Sequence, residues 1–275
     1  MLEIPEASVM AAQCRATLIG KTIIGAEAGH SPHGFAWFSG DPAVYGDLLK
    51  GKTLRSAAAF GGRVELIADG LSLCFNDGVN LRFLPPEMTR PAKHQLLLEF
   101  ADGSGLYATV QMYGGLVCLP AGTDTNFYDV VAREKPSPLT GAFDADYFTA
   151  LLTEGTRKLS AKAFLATEQR IPGLGNGCLQ DLLWMGKIHP KRKMNTLSDG
   201  ELEALFHAVK TGLREMSDKG GRDTEKDLWG SNGGYLTVMS KKNEARCCPV
   251  CGSAIKRMSY MGGNVYVCDG CQKEK

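Results

Sequence analysis

The stretch CPVCGSAIKRMSYMGGNVYVCDGC, residues 248–271, contains two Cys-Xaa-Xaa-Cys pairs separated by sixteen residues. Four thiolates at this spacing are typical of one tetrahedral zinc site, with Cys248, Cys251, Cys268 and Cys271 as the ligands. The alternating segments between the pairs flank Met261-Gly-Gly-Asn264, which predicts a β-hairpin. So short a segment cannot fold on a hydrophobic core of its own, and we expect bound Zn²⁺ to supply the folding free energy.

Disulfide bonds are the alternative use of these cysteines, and the sequence argues against them. The chain has nine cysteines, an odd number, and no apolar signal segment opens it. We therefore expect a reduced, cytoplasmic protein. Cys247 adjoins the first pair, but Cys-Pro-Xaa-Cys-Gly is the usual tight-turn form, which favours Cys248 as the ligand.

Size and composition allow two ordinary hydrophobic cores. The chain has 275 residues, 44% of them hydrophobic, and no apolar run long enough to span a bilayer. Its 31 Lys and Arg nearly balance 30 Asp and Glu, so net charge alone does not indicate a nucleic-acid partner. One local basic run, Lys187-Ile-His-Pro-Lys-Arg-Lys193, is either a solvated face or part of a binding surface.

The residue pattern changes along the chain and predicts an α+β multidomain fold. Residues 1–20 predict a short extended start followed by a helix, and Thr53 to Leu119 predict an antiparallel sandwich or barrel. Residues 120–145 lack clear periodicity and indicate a linker, whereas Asp144 to Met216 is helical in pattern. The predicted domains are a β-sandwich at 1–130, a helical domain at 131–240 and a zinc finger at 241–275.

A glycine-rich turn, Ile171-Pro-Gly-Leu-Gly-Asn-Gly177, separates two predicted helices. Backbone N–H groups at such a turn, directly before a helix N-terminus, suit the binding of a phosphate. Alone, the turn is more often a simple connection. The basic run and the finger lie in the same half of the chain, which favours contact with a sugar-phosphate backbone.

Together these features resemble the formamidopyrimidine-DNA glycosylase and endonuclease VIII family. Met1-Leu-Glu-Ile-Pro-Glu6 is similar to the opening Met-Pro-Glu-Leu-Pro-Glu of that family, and the glycine turn with Lys187-Ile-His-Pro190 is similar to its helix-two-turn-helix signature. Gly220-Gly221 and the four-cysteine finger follow in the family's order. The resemblance implies a β-sandwich, a helix-two-turn-helix domain and a zinc-ribbon finger.

The resemblance also implies an activity and the residues that perform it. Members of this family remove damaged bases from double-stranded DNA and cleave at abasic sites, using an N-terminal proline amine that attacks C1′. It implies that Lys162 and Asn176 hold the phosphates flanking the damaged nucleotide and that Glu3 and Glu6 line the site of base removal. It further implies a monomer that acts in the cytoplasm on nucleoid DNA, without a membrane.

The chain departs from the family at three positions. Leu2 replaces the proline, so the reactive terminus becomes the primary amine of Met1, or of Leu2 after trimming. Gly263 stands where the finger carries an arginine, and the strand lysine falls at Gly61-Gly62-Arg63, where only Arg63 is basic. The segment that fills the hole left by a flipped base corresponds to Val110–Gly114, where Gln111, Met112 or Tyr113 can wedge into a duplex.

Three hypotheses for the function remain open from the sequence. The first is a DNA glycosylase with abasic-site lyase activity through the N-terminal amine. The second is a non-catalytic binder of damaged, abasic or distorted DNA. The third, a zinc-ribbon protein that binds other proteins, leaves the glycine turn and the basic run unexplained. The charged segment Arg222–Gly230 is either a loop over the flipped base or a salt-bridged helix cap.

Overall fold

The computed structural model describes residues 1–274. The chain opens with helix α1 (Ile4–Leu18), which has Pro5 in its first turn, where the missing N–H is no loss. Most of its buried side chains pack on the β-sheets, but Ile4 packs in the core of the helical half. The first helix therefore contributes to both cores.

Nine strands follow in the N-terminal half. In chain order they are β1 (Ile23–Ala28), β2 (Ala36–Phe38), β3 (Leu54–Phe60), β4 (Arg63–Ala68), β5 (Leu71–Asn76), β6 (Val79–Leu84), β7 (Leu96–Phe100), β8 (Gly105–Val110) and β9 (Gly114–Pro120). They form a four-stranded sheet in the order β1-β7-β8-β6 and a five-stranded sheet in the order β2-β9-β5-β4-β3. The predicted sandwich is thus confirmed, with one parallel pair, β2 and β9, among antiparallel ones.

Residues 20–53 gave no strand signal in the sequence, yet they contain β1 and β2. Both strands lie at sheet edges, where one side faces solvent and the alternation of apolar side chains is weak. A short helix, α2 (Tyr45–Leu49), follows them and packs on β1.

The C-terminal half is helical. Its helices are α3 (Phe127–Glu134), α4 (Ala145–Ala150), α5 (Glu154–Arg157), α6 (Ala161–Ala166), α7 (Asn176–Met185) and α8 (Asp199–Asp218). Helix α3 lies within the segment that the sequence indicated as an irregular linker. Asn126 caps it by accepting from Tyr128 N, and Arg133 pairs with Asp129 one turn earlier, so local contacts stabilise it. None of the helices between residues 1 and 274 combines the length and apolarity needed to cross a membrane.

The finger hairpin consists of β10 (Ile255–Tyr260) and β11 (Gly263–Cys268). Its turn is shorter than the predicted four-residue tip, because Met261 and Gly262 alone connect the strands, both with positive φ, at 53° and 74°. Two consecutive left-handed residues match the twist of a tight hairpin.

The two halves are in close backbone contact where two glycine turns meet. Gly61-Gly62 connects β3 to β4, and Gly173 lies in the turn before α7. Gly173 has φ +80°, and a Cβ atom there would lie 2.0 Å from the Gly62 nitrogen. Backbone thus packs on backbone, which only glycine permits.

We expect Gly173→Ala to lower the free energy of unfolding by about 3 kcal/mol or more, because it adds left-handed strain to a backbone clash. The urea midpoint measures this. Gly141→Ala is the matched control, since a Cβ there meets open space at an ordinary φ, and we expect a change within about 0.5 kcal/mol. Equal midpoints for Gly173→Ala and the unchanged protein would contradict the close contact.

Candidate functional site

A cleft of about 830 Å³ opens between the β-sandwich and the helical half. The chain start, the two glycine turns and the loop after α8 all contribute to its wall. The side chains that bear on its chemistry are Met1, Leu2, Glu3, Arg63, Asp77, Asn176, Arg222 and Glu225. The cleft therefore brings together residues from the beginning, middle and end of the chain.

The Glu3 carboxylate caps helix α7. Its oxygens accept from the backbone N–H groups of Gly175 at 3.0 Å, Gly177 at 2.9 Å and Cys178 at 2.9 Å. Gly175 occupies the N-cap position and has no side chain to cap with, so a residue 172 positions earlier supplies the acceptor. Glu3 is 4% exposed and lies on the cleft wall.

Arg222 lies behind this cap as a buried cation. Its guanidinium donates to Glu6 through Nε and Nη2, both at 2.9 Å, and its Nη1 is 3.3 Å from Glu3. Burial opposes ionisation of Glu6, but the Arg222 charge and hydrogen bonds outweigh it and lower the Glu6 pKa. Burial also disfavours the charged form of Arg222. The electrostatic interactions with Cys178, Glu3 and Glu6 outweigh this effect, so the pKa of Arg222 is raised.

Glu6 is not on the cleft wall. It is 7% exposed and borders a separate small cavity together with Val9 and the Gly220-Gly221 turn. Of the two carboxylates that the resemblance assigned to the site, Glu3 lines the cleft. Glu6 binds Arg222 and lies outside the cleft.

The two candidate amines occupy different surroundings. The Met1 ammonium group forms an ion pair with Glu225 at the cleft. The Leu2 nitrogen donates to the Asp77 carbonyl at 2.7 Å, and the Leu2 side chain is 7% exposed within the β-sandwich core. Leu2 is thus fixed by its hydrogen bond and its burial, and Met1, the residue before it, lines the cleft.

Within Gly61-Gly62-Arg63, the segment where the resemblance places the strand lysine, Gly62 packs against backbone. A Cβ atom on Gly62 would lie 2.8 Å from the Leu2 carbonyl oxygen, so no side chain fits there. Arg63, the next residue, does line the cleft. Burial raises the pKa of the neighbouring Asp77, against the opposing charge of Arg63.

Lys162 and Asn176, the expected phosphate ligands, both contact the finger. Lys162 Nζ donates to the Tyr260 carbonyl at 2.7 Å and Asn176 Nδ2 donates to the Asn264 carbonyl at 3.0 Å. Lys162 is 5% exposed, and burial lowers its pKa. An ammonium group has three donors and an amide two, so each side chain retains donors beyond those used here.

Only part of the basic run faces solvent. His189 is 3% exposed, and Arg192 pairs with Glu201 near the start of α8. Lys187 and Lys193 are exposed. His189 and Arg192 thus stabilise the helical half, whereas Lys187 and Lys193 are accessible, a division that the sequence alone did not show.

The four finger cysteines converge as their spacing predicts. Their sulfur atoms lie within 4.8 Å of one another, with Cys248 and Cys271 at 3.8 Å and Cys251 and Cys268 at 3.3 Å. A tetrahedral ion with bonds of about 2.3 Å separates its sulfurs by about 3.8 Å. These distances exceed a disulfide bond and fit a four-thiolate metal site. Cys247 is exposed and outside the cluster.

Glu27, His30 and His94 form a second group of side chains that metals favour. The two imidazole rings are stacked, with centroids 4.4 Å apart and planes 4° from parallel. An ion binds a ring nitrogen in the plane of the ring, and two stacked parallel planes share no such position. His30 Nδ1 instead lies 3.0 Å from one Glu27 oxygen, and His94 Nε2 lies 3.3 Å from the other. Through these contacts Glu27 connects the segment after β1 with the segment before β7.

Four exposed aromatic side chains line the cleft, three from the β-sandwich and one from helix α3. Phe35, Trp37, Tyr113 and Tyr128 line it while remaining 73%, 53%, 49% and 53% exposed. Tyr113 and the 64% exposed Met112 occupy the β8–β9 loop expected to enter a duplex, and Met112 has φ +69°. The other three aromatics were missed, because nothing in their spacing distinguishes them from core residues.

Arg222 and Glu225 were also not predicted as individual site residues. The sequence showed only that Arg222–Gly230 is rich in charged residues. This composition fits a binding loop and a salt-bridged helix cap equally well. The contacts of Arg222 with Glu3 and Glu6, of Glu225 with Met1 and of Asp227 with Gln13 show that this segment packs on the chain start.

Comparison with known proteins adds to this geometry. Residues 135–226 match the family model described as the formamidopyrimidine-DNA glycosylase H2TH domain. The chain is 30% identical to a formamidopyrimidine-DNA glycosylase of Proteus mirabilis over 201 residues, 70% of each protein, and 28% identical to that of Lactobacillus delbrueckii over 287 aligned residues, covering 99% of this chain and 100% of the relative.

Solved structures share the fold over almost the whole length. The Lactococcus lactis Fpg in complex with abasic-site DNA superimposes with a TM-score of 0.82 at 22% identity, covering 98% of this chain and 99% of the other. MutM (Fpg) from Thermus thermophilus gives 0.81 at 19% identity, covering 99% of both. The four-cysteine finger, the glycine turn capped from residue 3 and these matches agree, and the chain belongs to the formamidopyrimidine-DNA glycosylase family.

Proposed function

We propose that this protein is a DNA glycosylase with abasic-site lyase activity that acts in base excision repair on double-stranded DNA with a damaged or abasic nucleotide. The observation that carries the proposal is the primary amine of Met1 at the cleft, beside the Glu3 cap and the glycine turn. An α-amine becomes a nucleophile toward C1′ once it has given up its proton.

Of the two candidate amines, that of Met1 suits the reaction better. Leu2 is buried and its nitrogen donates a hydrogen bond to the Asp77 carbonyl, whereas Met1 lines the cleft and its nitrogen is paired with Glu225, which also lines it. Retention of Met1 is also expected chemically, since a large second residue discourages removal of the first methionine.

Glu3 contributes its charge to the reaction and Glu6 acts through Arg222. Glu3 lies on the cleft wall, where a carboxylate stabilises positive charge developing at C1′. Glu6 orients Arg222, which in turn fixes Glu3.

The phosphates flanking the damaged nucleotide are bound where the finger meets α6 and α7. Lys162 and Asn176 retain donors there, whereas the N–H groups of Gly175, Gly177 and Cys178 are already bound to Glu3. The fold is shared with relatives solved on abasic-site DNA, which supports the same partner for this chain.

The metal of the finger is Zn²⁺. Four thiolates at tetrahedral distances favour zinc among the abundant cellular metals, and its role is structural because no position is left open. The unpaired state of all nine cysteines supports a reducing compartment, and we place the protein in the cytoplasm with the nucleoid DNA.

A second candidate, a non-catalytic binder of damaged DNA, is favoured by two observations. Only Arg63 is basic in the segment Gly61-Gly62-Arg63, where the resemblance places the strand lysine, and Gly263 stands where the finger of the family carries an arginine. A binder needs the cleft and the finger but not the amine.

Borohydride trapping on a duplex with one abasic site separates these two functions. We expect a covalent protein–DNA adduct whose peptide mass assigns the bond to the amine of Met1, because that amine faces the cleft. Intact-protein mass determines beforehand whether Met1 is present. Tight binding to the duplex without any adduct would refute the enzyme and leave the binder.

Lys162→Ala tests the phosphate role. If the ammonium group neutralises one phosphate, DNA affinity falls for all sequences and the slope of log K against log salt decreases by about 0.9. The control is Lys158→Ala, an exposed lysine paired with Glu154, for which we expect no change. An unchanged slope with weaker binding would show that Lys162 only fastens the finger.

Two cysteine variants test the zinc site. We expect native mass spectrometry and elemental analysis to find zinc in the unchanged protein and in Cys247→Ser, and to find it lost in Cys248→Ser, because only Cys248 joins the cluster. Hydrogen exchange should then rise in residues 247–272 and remain low in β4 and β5. Zinc loss in Cys247→Ser would contradict the ligand assignment.

A further inference from the structure

The structure assigns to Glu225 the proton transfers of the reaction: its carboxylate accepts a proton from the Met1 ammonium group and returns it to the oxygen that leaves C1′. This inference rests on the proposed attack by the Met1 amine. It goes beyond the resemblance, which assigned the site's carboxylate roles to Glu3 and Glu6.

Glu3 is poorly suited to proton transfer, because its lone pairs are already used. It accepts three backbone N–H bonds and lies 3.3 Å from the Arg222 guanidinium. Protonating it would break the cap of α7 and leave buried donors unpaired. Its role is that of a fixed negative charge.

Glu6 is excluded by position and by pairing. Both of its oxygens bind Arg222, and it lies outside the cleft. A proton on Glu6 would leave Arg222 without its main counter-charge in a buried site, which is costly.

Glu225 has the contacts that the other two lack. It forms the ion pair with the Met1 ammonium group, lines the cleft and keeps its side chain 24% exposed. One of its oxygens lies 3.9 Å from Arg222 Nη2, so the cation that holds Glu3 and Glu6 also orients Glu225. The carboxylate thus touches the reacting nitrogen directly.

The step on an abasic site balances with these groups alone. The Met1 ammonium gives a proton to Glu225, and the free amine forms a bond to the C1′ aldehyde carbon while the C=O electrons move to oxygen. A proton passes from nitrogen to that oxygen, giving a neutral carbinolamine. Glu225 then protonates the hydroxyl group, which leaves as water, and the product is an iminium ion beside a carboxylate.

The charge of the cluster favours this product. Glu3, Glu6 and Glu225 carry three negative charges, while Arg222 and the Met1 ammonium carry two positive ones. Before and after the first proton transfer the cluster has one net negative charge. It therefore stabilises the positive iminium, which occupies the place of the ammonium.

The test compares Glu225→Gln, Glu225→Asp and Glu225→Ala in the full-length protein. Single-turnover rates of imine formation are measured by borohydride quench on an abasic-site duplex, and affinity on a duplex with a reduced abasic analogue that cannot form an imine. Gln retains an acceptor for the amine but takes no proton, so we expect its rate to fall about 100-fold or more with affinity nearly unchanged. Asp should recover part of the rate, and added formate should raise the rate of Glu225→Ala.

Glu203→Gln, an exposed glutamate on α8, is the matched control and should react normally. A Glu225→Gln protein that forms the imine at the unchanged rate would overturn the assignment while leaving attack by Met1 intact. Loss of rate in all three variants with no rescue by Asp or formate would also overturn it, in favour of a positioning role. Absence of any adduct from the unchanged protein would overturn both this inference and the proposed function.

Discussion

The cap that Glu3 places on helix α7 is the constraint on which the rest of the site depends. A glycine turn leaves the first N–H groups of the helix without a local acceptor, and three of them bind one carboxylate from the chain start. This contact fixes the first residues against the helical half. Because Ile4 packs in the helical core while Leu2 packs in the β core, the chain start is held from both sides.

Burying that carboxylate requires a counter-charge, and Arg222 supplies it. The guanidinium also binds Glu6 and approaches Glu225, so one buried cation organises carboxylates from α1 and from the loop after α8. Such a cluster is stable only while every partner is present, since removing one leaves an uncompensated charge. The loop after α8 is thereby tied to the amine that it faces.

The finger is not an isolated unit. Besides Lys162 and Asn176, Gln180 accepts from Tyr266 N at 2.6 Å and Gln272 donates to the Ile188 carbonyl at 2.9 Å. The four-cysteine cluster therefore lies next to a hairpin whose backbone carbonyls contact the helical half. A side chain at Gly263 would meet open space, so packing does not require the glycine that replaces the family's arginine.

The sequence by itself determined the features whose signal is local. Cysteine spacing predicted the four-cysteine cluster, the strand pattern from Thr53 to Leu119 predicted the sandwich, and the glycine turn predicted the break between two helices before α7. These succeed because ligand geometry, strand pleat and helix period are set by neighbours in the chain. Only the tertiary structure decided which carboxylate caps the helix, which one faces the amine, and that Glu6 lies behind the cleft. Those outcomes depend on contacts between residues more than 170 positions apart in the sequence. All three residues are glutamates, so their roles are set by burial and by the position of one cation rather than by residue type.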